Sequence, residues 1–66
     1  MKIELVKLPP RAMQIAKLVI GGHSNAEIGK ILAIKERTVK DYMGRVMLAC
    51  QVESRYELIA KYGRGA

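Results

Sequence analysis

Apolar and polar positions in this chain alternate at helical rather than strand spacing. Between residues 10 and 20, Ala12, Ile15, Ala16, Val19 and Ile20 fall near a 3.6-residue period. Pro9-Pro10 stops whatever precedes the run, and a proline suits the first turn of a helix, where its missing N–H is no loss. Gly21-Gly22 closes it, because glycine takes the left-handed backbone a helix end wants. The first helix is therefore predicted from about Pro10 to Ile20. Ser24-Asn25-Ala26-Glu27 has the spacing of a capping box, in which Ser and Glu satisfy each other's backbone N–H groups. It starts a second helix from about Asn25 to Leu32, burying Ile28 and either Ile31 or Leu32. Gly29 inside it costs roughly 1 kcal/mol against alanine. It marks either a close helix–helix approach or a tolerated weak spot.

Ala33-Ile34 makes a turn, with Ile34 plugging the core. A third helix is predicted from about Glu36 to Cys50. Val39, Met43, Val46, Met47 and Cys50 form its inner stripe, and Arg37, Lys40, Asp41, Gly44, Arg45 and Leu48 its opposite face. Ser54-Arg55-Tyr56-Glu57 repeats the capping-box spacing and opens a fourth helix from about Arg55 to Tyr62, with Leu58, Ile59 and Tyr62 apolar. Gly63 ends it. Residues 1–7 read as a short extended arm, with Ile3 and Leu5 on one side and no partner strand; Leu5 or Leu8 tucks onto the helices. Residues 63–66 read as a frayed tail. The expectation is one all-α domain of four helices over 8–62.

Composition narrows the function. Sixty-six residues hold one domain and a small core. The single Cys50 allows no internal disulfide, and Cys50 with the single His23 cannot build a four-ligand zinc site. Self-association remains as a source of extra stability. Twelve Lys and Arg against six Asp and Glu leave a charge of +6, which favours an anionic partner, most often nucleic acid. The charge is spread along the chain, with no tail of like charges. No apolar run reaches the ~18 residues that span a bilayer, and MKIELVKLPP lacks the apolar core of a signal peptide. A soluble cytoplasmic protein is expected. One histidine, no glycine-rich phosphate loop and no paired carboxylates leave no enzyme site to build and no cofactor to expect.

The stretch SNAEIGKILAIKERTVKDYMGRV, helix, tight turn, helix, has the shape that places one helix in the major groove of DNA. Over residues 8–62 the chain resembles the LuxR/GerE-type helix-turn-helix domain. Leu8, Pro10, Arg11, Gly22, Ser24, Asn25, Glu27, Ile28, Leu32, Ile34, Thr38, Val39, Lys40, Val52, Arg55 and Glu57 stand where that family's pattern asks. The pairing of Ser24-Asn25-x-Glu27-Ile28 with Thr38-Val39-Lys40 is its specific part; the Leu8-to-Gly22 opening favours this family over the promoter-reading domain of sigma factors. The resemblance implies a bacterial or phage transcription factor that binds double-stranded DNA as a homodimer, with its third helix in the major groove and its fourth at the dimer contact. Full-length members usually carry a sensor or receiver domain in front. None is present in these residues, so the chain reads as a free-standing domain or as an excised fragment of a longer member.

By that resemblance the base-reading positions are Lys40, Asp41 and Gly44. Lys40 can donate to guanine or neutralise a phosphate, and Asp41 repels phosphate but can accept from a cytosine amino group. Gly44 has no side chain to read with. Lys35, Arg37 and Arg45 flank Lys40 and would grip the backbone. Thr38 can bond a phosphate or its own helix. Ser24 and Asn25 cap the second helix and can also turn N–H groups toward a phosphate. Arg11 is a surface residue or a phosphate contact, and Tyr42 a packing residue or a sugar–phosphate contact. The pattern also departs from the family's. Pro9 replaces the usual Thr, Lys35 the usual Ser or Thr cap, Ala49 a usual Lys, and Leu48 is apolar where a charge is common. Leu48, Tyr56, Leu58, Ile59 and Tyr62 are candidates for a dimer or partner face. The altered reading face supports a second reading: a protein-binding module on the same fold, acting on a regulator or polymerase subunit. His23 reads as a loop residue, Cys50 as a buried thiol, and Met13, Met43 and Met47 as core filling.

Overall fold

The computed structural model describes residues 8–63; the arm at 1–7 and the tail residues 64–66 lie outside the described residues. Four helices follow one another: α1 Pro10–Ile20, α2 Asn25–Leu32, α3 Glu36–Cys50 and α4 Arg55–Tyr62. The described residues contain no strand. These bounds coincide with those read from the sequence, and the cause is local chemistry. Pro10 occupies the first turn of α1. The Ser24 hydroxyl accepts from the Glu27 N–H at 3.1 Å, while Glu27 Oε1 accepts from the Ser24 N–H at 2.9 Å, completing the capping box of α2. The second box is only half built. Ser54 Oγ accepts from the Glu57 N–H at 3.2 Å, but the Glu57 carboxylate reaches the N–H of Glu53, one residue further out.

Three helices end alike. His23 N–H donates to Leu18 O and Gly22 N–H to Val19 O; Ile34 donates to Gly29 O and Ala33 to Lys30 O; Val52 donates to Met47 O and Gln51 to Leu48 O. Each pair is the nested closure that consumes the last free carbonyls of a helix and requires a left-handed residue. In α1 that residue is Gly22, at φ 97°, while Gly21 stays right-handed. In α2 and α3 it is Ala33 and Gln51, both at φ 58°.

The core is continuous. Ala12, Ile15, Ala16 and Val19 of α1 meet Ile28 of α2, the α3 stripe Val39, Met43, Val46 and Cys50, and Leu58 of α4. Leu8, Ile34, Met47 and Val52 pack around its edge. α1 and α2 both pack mainly on α3, and α1 also touches α2 and α4. Of the two candidates on α2, Leu32 is partly buried and Ile31 is 52% exposed. Gly29 is the reason. It is buried beside Ile28, so the inward line of α2 runs through residues 28, 29 and 32 and leaves Ile31 more than a quarter turn away. Ile20 at the end of α1 is partly buried rather than fully so.

A Cβ on Gly29 would sit 2.8 Å from the carbonyl oxygen of Ile34, a backbone atom that cannot swing aside. The close-approach reading of Gly29 therefore holds. A Cβ on Gly44 would meet nothing within 4 Å. The two glycines should respond oppositely to the same change. In urea denaturation, Gly29→Ala should lose about 1–3 kcal/mol, and Gly44→Ala should gain about 0.5–1 kcal/mol from lost unfolded-chain freedom. Equal midpoints for the two variants would contradict this account of the α2–α3 junction.

Candidate nucleic-acid interface

Helices α2 and α3, joined by the three residues 33–35, form the helix-turn-helix. Helix α3 is held from behind by its four buried residues, so its opposite side faces outward without effort. Lys35, Arg37, Lys40, Asp41, Gly44 and Arg45 are all exposed there, and Thr38 is half-buried at the flank. Arg37, Asp41, Gly44 and Leu48, at steps of four, three and four, run down the middle of this outer surface. Asp41 is four residues from both Arg37 and Arg45, a spacing at which pairs can form. Neither pair forms; among the described residues the one contact between a basic and an acidic side chain within ion-pair distance is His23 Nδ1–Glu27 Oε1, at 3.6 Å. The cations of α3 are thus open to an outside anion. Lys35 stands at the N-cap of α3 and supplies no cap hydrogen bond, which leaves the first N–H groups of that helix without a side-chain acceptor.

The two α2 residues behave differently from the α3 set. Ser24 spends its hydroxyl oxygen on the cap. Asn25 is half-buried, and its Oδ1 accepts from Arg55 Nη1 at 2.9 Å. Arg55 Nη2 donates to the carbonyl oxygen of His23 at 2.8 Å. Arg55 thus clips the start of α4 to the start of α2 across some thirty residues of chain. Sequence reasoning did not single out this residue. The available signal was that Asn25 and Arg55 both occupy positions of one family pattern.

The dimer or partner face needs a correction. Leu58 is fully buried and is the one fully buried side chain of α4, so it anchors the helix and cannot meet a partner. An eight-residue helix needs at least one such anchor to stay on the body. Ile59 and Tyr62 are half-buried against the core. Tyr56, at 77% exposure, and Leu48, at 82%, remain outward. Tyr56 borders a shallow hollow with Lys40, Met43, Met47 and Asn25.

Two side chains carry perturbed protonation. The Glu27 carboxyl is held below the usual carboxylate range, first by the Ser24 N–H donating to it and then by His23, whose Nδ1 lies 3.6 Å away. Burial pushes the Cys50 thiol up. Lys61 Nζ donates to the Cys50 carbonyl at 2.9 Å, placing a cation on the C-terminal end of α3. Among the described residues, no three His, Cys, Asp or Glu side chains gather as a metal cluster would require. No helix there is long and apolar enough to cross a membrane.

The family model described as bacterial regulatory proteins, luxR family, matches residues 6–62. Searches of curated proteins and of solved structures give no match.

The cap predicts a direction with pH. A carboxyl whose folded pKa is depressed stabilises above its unfolded pKa, and that contribution is lost as pH falls through the folded value. Thermal melts between neutrality and about pH 3 should show wild type losing more stability than Glu27→Gln. A Tm gap between the two that stays constant across this range would rule out the carboxylate as the source.

Proposed function

The chain belongs to the luxR family of bacterial regulatory proteins, and we propose that it regulates transcription by laying α3 in the major groove as one half of a homodimer. At the coarser level, it carries a DNA-binding helix-turn-helix domain of a regulator family rather than of an enzyme family. The observation that supports the finer reading most is the outer face of α3. Four cations, Lys35, Arg37, Lys40 and Arg45, project from it without carboxylate partners among the described residues, over a helix fixed by its buried side.

On this reading Lys40 donates to a guanine edge or to a phosphate, while Lys35, Arg37 and Arg45 neutralise the backbone. Asp41 accepts from a cytosine amino group, and Thr38 donates to a phosphate from the flank. Gly44 contributes no contact of its own and leaves room for the groove wall. Ser24 contributes through its hydroxyl hydrogen, because its hydroxyl oxygen only accepts within the cap and its backbone N–H already donates to Glu27. A second copy would meet the first along α4, with Tyr56 at the centre and Ile59 and Tyr62 at its edges. Such a regulator works beside the chromosome, in the cytoplasm of a bacterium or of a phage-infected one. No cofactor or catalytic group enters this role.

A second reading is favoured by Leu48 and Tyr56. Two large apolar side chains this exposed on a 66-residue chain suit a protein partner in the transcription machinery. In that case Leu48→Asp or Tyr56→Asp should release the partner, and an unchanged complex would remove this alternative.

The primary reading is tested by selection from a random duplex library, followed by anisotropy titrations at low and near-physiological salt. An enriched, roughly palindromic motif is expected. Lys40→Ala should then cost about 1–3 kcal/mol if the lysine reads a base, or lower the salt slope by about one if it holds a phosphate. Binding that salt erases, with no motif and no response to Lys40→Ala, would overturn the assignment of α3.

A further inference from the structure

Arg55 does more than join two helices. A guanidinium only donates, and the side chain of asparagine offers one accepting oxygen and one donating NH2. Because Arg55 Nη1 lies 2.9 Å from Asn25 Oδ1, the orientation of that amide is decided. Its nitrogen must face the other way. That nitrogen has no protein acceptor among the described residues, and Asn25 lines one hollow together with Lys40, Ser54 and Arg55. The second arm of the fork, Nη2 to the His23 carbonyl at 2.8 Å, prevents the loop before α2 from turning the residue away.

Resting on the DNA-binding reading above, we propose that Asn25 Nδ2 is a phosphate donor paired with Lys40, and that Arg55 is the positioning residue that aims it. The contact couples α4, which carries Arg55, to the end of α2 that approaches the DNA backbone. Two of the five guanidinium N–H donors are engaged by these acceptors, and through the Nη1 bond Arg55 sets the amide of Asn25.

Asn25→Asp separates fold from function. The aspartate keeps an oxygen for Arg55, and the charged bond is at least as strong as the neutral one. The donor is replaced by a second, anionic oxygen. This variant should melt at or above the wild-type temperature yet bind a labelled mixed-sequence duplex at low salt roughly tenfold more weakly. Ala26→Asp places the same charge on the next, exposed residue and should weaken binding by a clearly smaller factor. Arg55→Lys keeps the charge without the fork and should also lose affinity. Equal losses in Asn25→Asp and Ala26→Asp would reduce the effect to general repulsion and overturn the proposal, as would wild-type affinity in folded Arg55→Lys. A wild-type chain that binds no duplex would instead sink the DNA-binding reading and this inference with it.

Discussion

A backbone carbonyl occupies the space where Gly29 would carry a side chain, and the rest of the DNA-binding unit depends on that contact. The Ile34 oxygen lies so near that no L-residue fits at position 29 without displacing main chain. This approach lets three residues turn the chain from α2 into α3. It also fixes the roll of α2, sends Leu32 inward and Ile31 outward, and brings the start of α3 beside the end of its partner. The roughly 1 kcal/mol of helix propensity that glycine forfeits is small beside the cost of forcing these two backbones apart.

The outward set on α3 follows from the inward one. Val39, Met43, Val46 and Cys50 leave the helix no freedom to rotate, because each faces α1, α2 or α4 in a continuous core. Cations on the far side are then held at a fixed pitch along a straight element. Their reach toward an anion is set by packing on the opposite face, and the side chains themselves need only extend. Of the residues that alter the family's reading helix, Asp41, Gly44, Leu48 and Ala49 lie on this free surface or at its edge, where they cost the fold nothing beyond the weak helical preference of glycine.

Much of this was legible in the residues because the chain is heavily punctuated. Pro9-Pro10, Gly21-Gly22 and two Ser-x-x-Glu boxes mark helix ends through interactions spanning three or four residues, which a linear reading can see. What was not legible depends on distance or on brevity. Leu58, Ile59 and Tyr62 are three apolar positions on an eight-residue helix, too few to separate a core-facing residue from a partner-facing one. The Arg55 fork joins residues thirty positions apart, and no local pattern encodes it. Ala33 and Gln51 take left-handed backbone without the glycine that usually signals it. Glu57 misses its expected partner by one residue, since Glu53 offers its N–H first.

Cys50 has a use that its burial creates. It is the chain's single thiol, it is 4% exposed, and it lies at the last turn of α3 beneath α4, with Lys61 tied to its own carbonyl. A thiol so placed, with its ionisation suppressed, reacts with an alkylating reagent only when α4 lifts or the whole domain opens. Its labelling rate would therefore report the free energy of opening at one defined seam. The same domain, bound to DNA or to a second copy, would reveal through that rate whether the seam tightens.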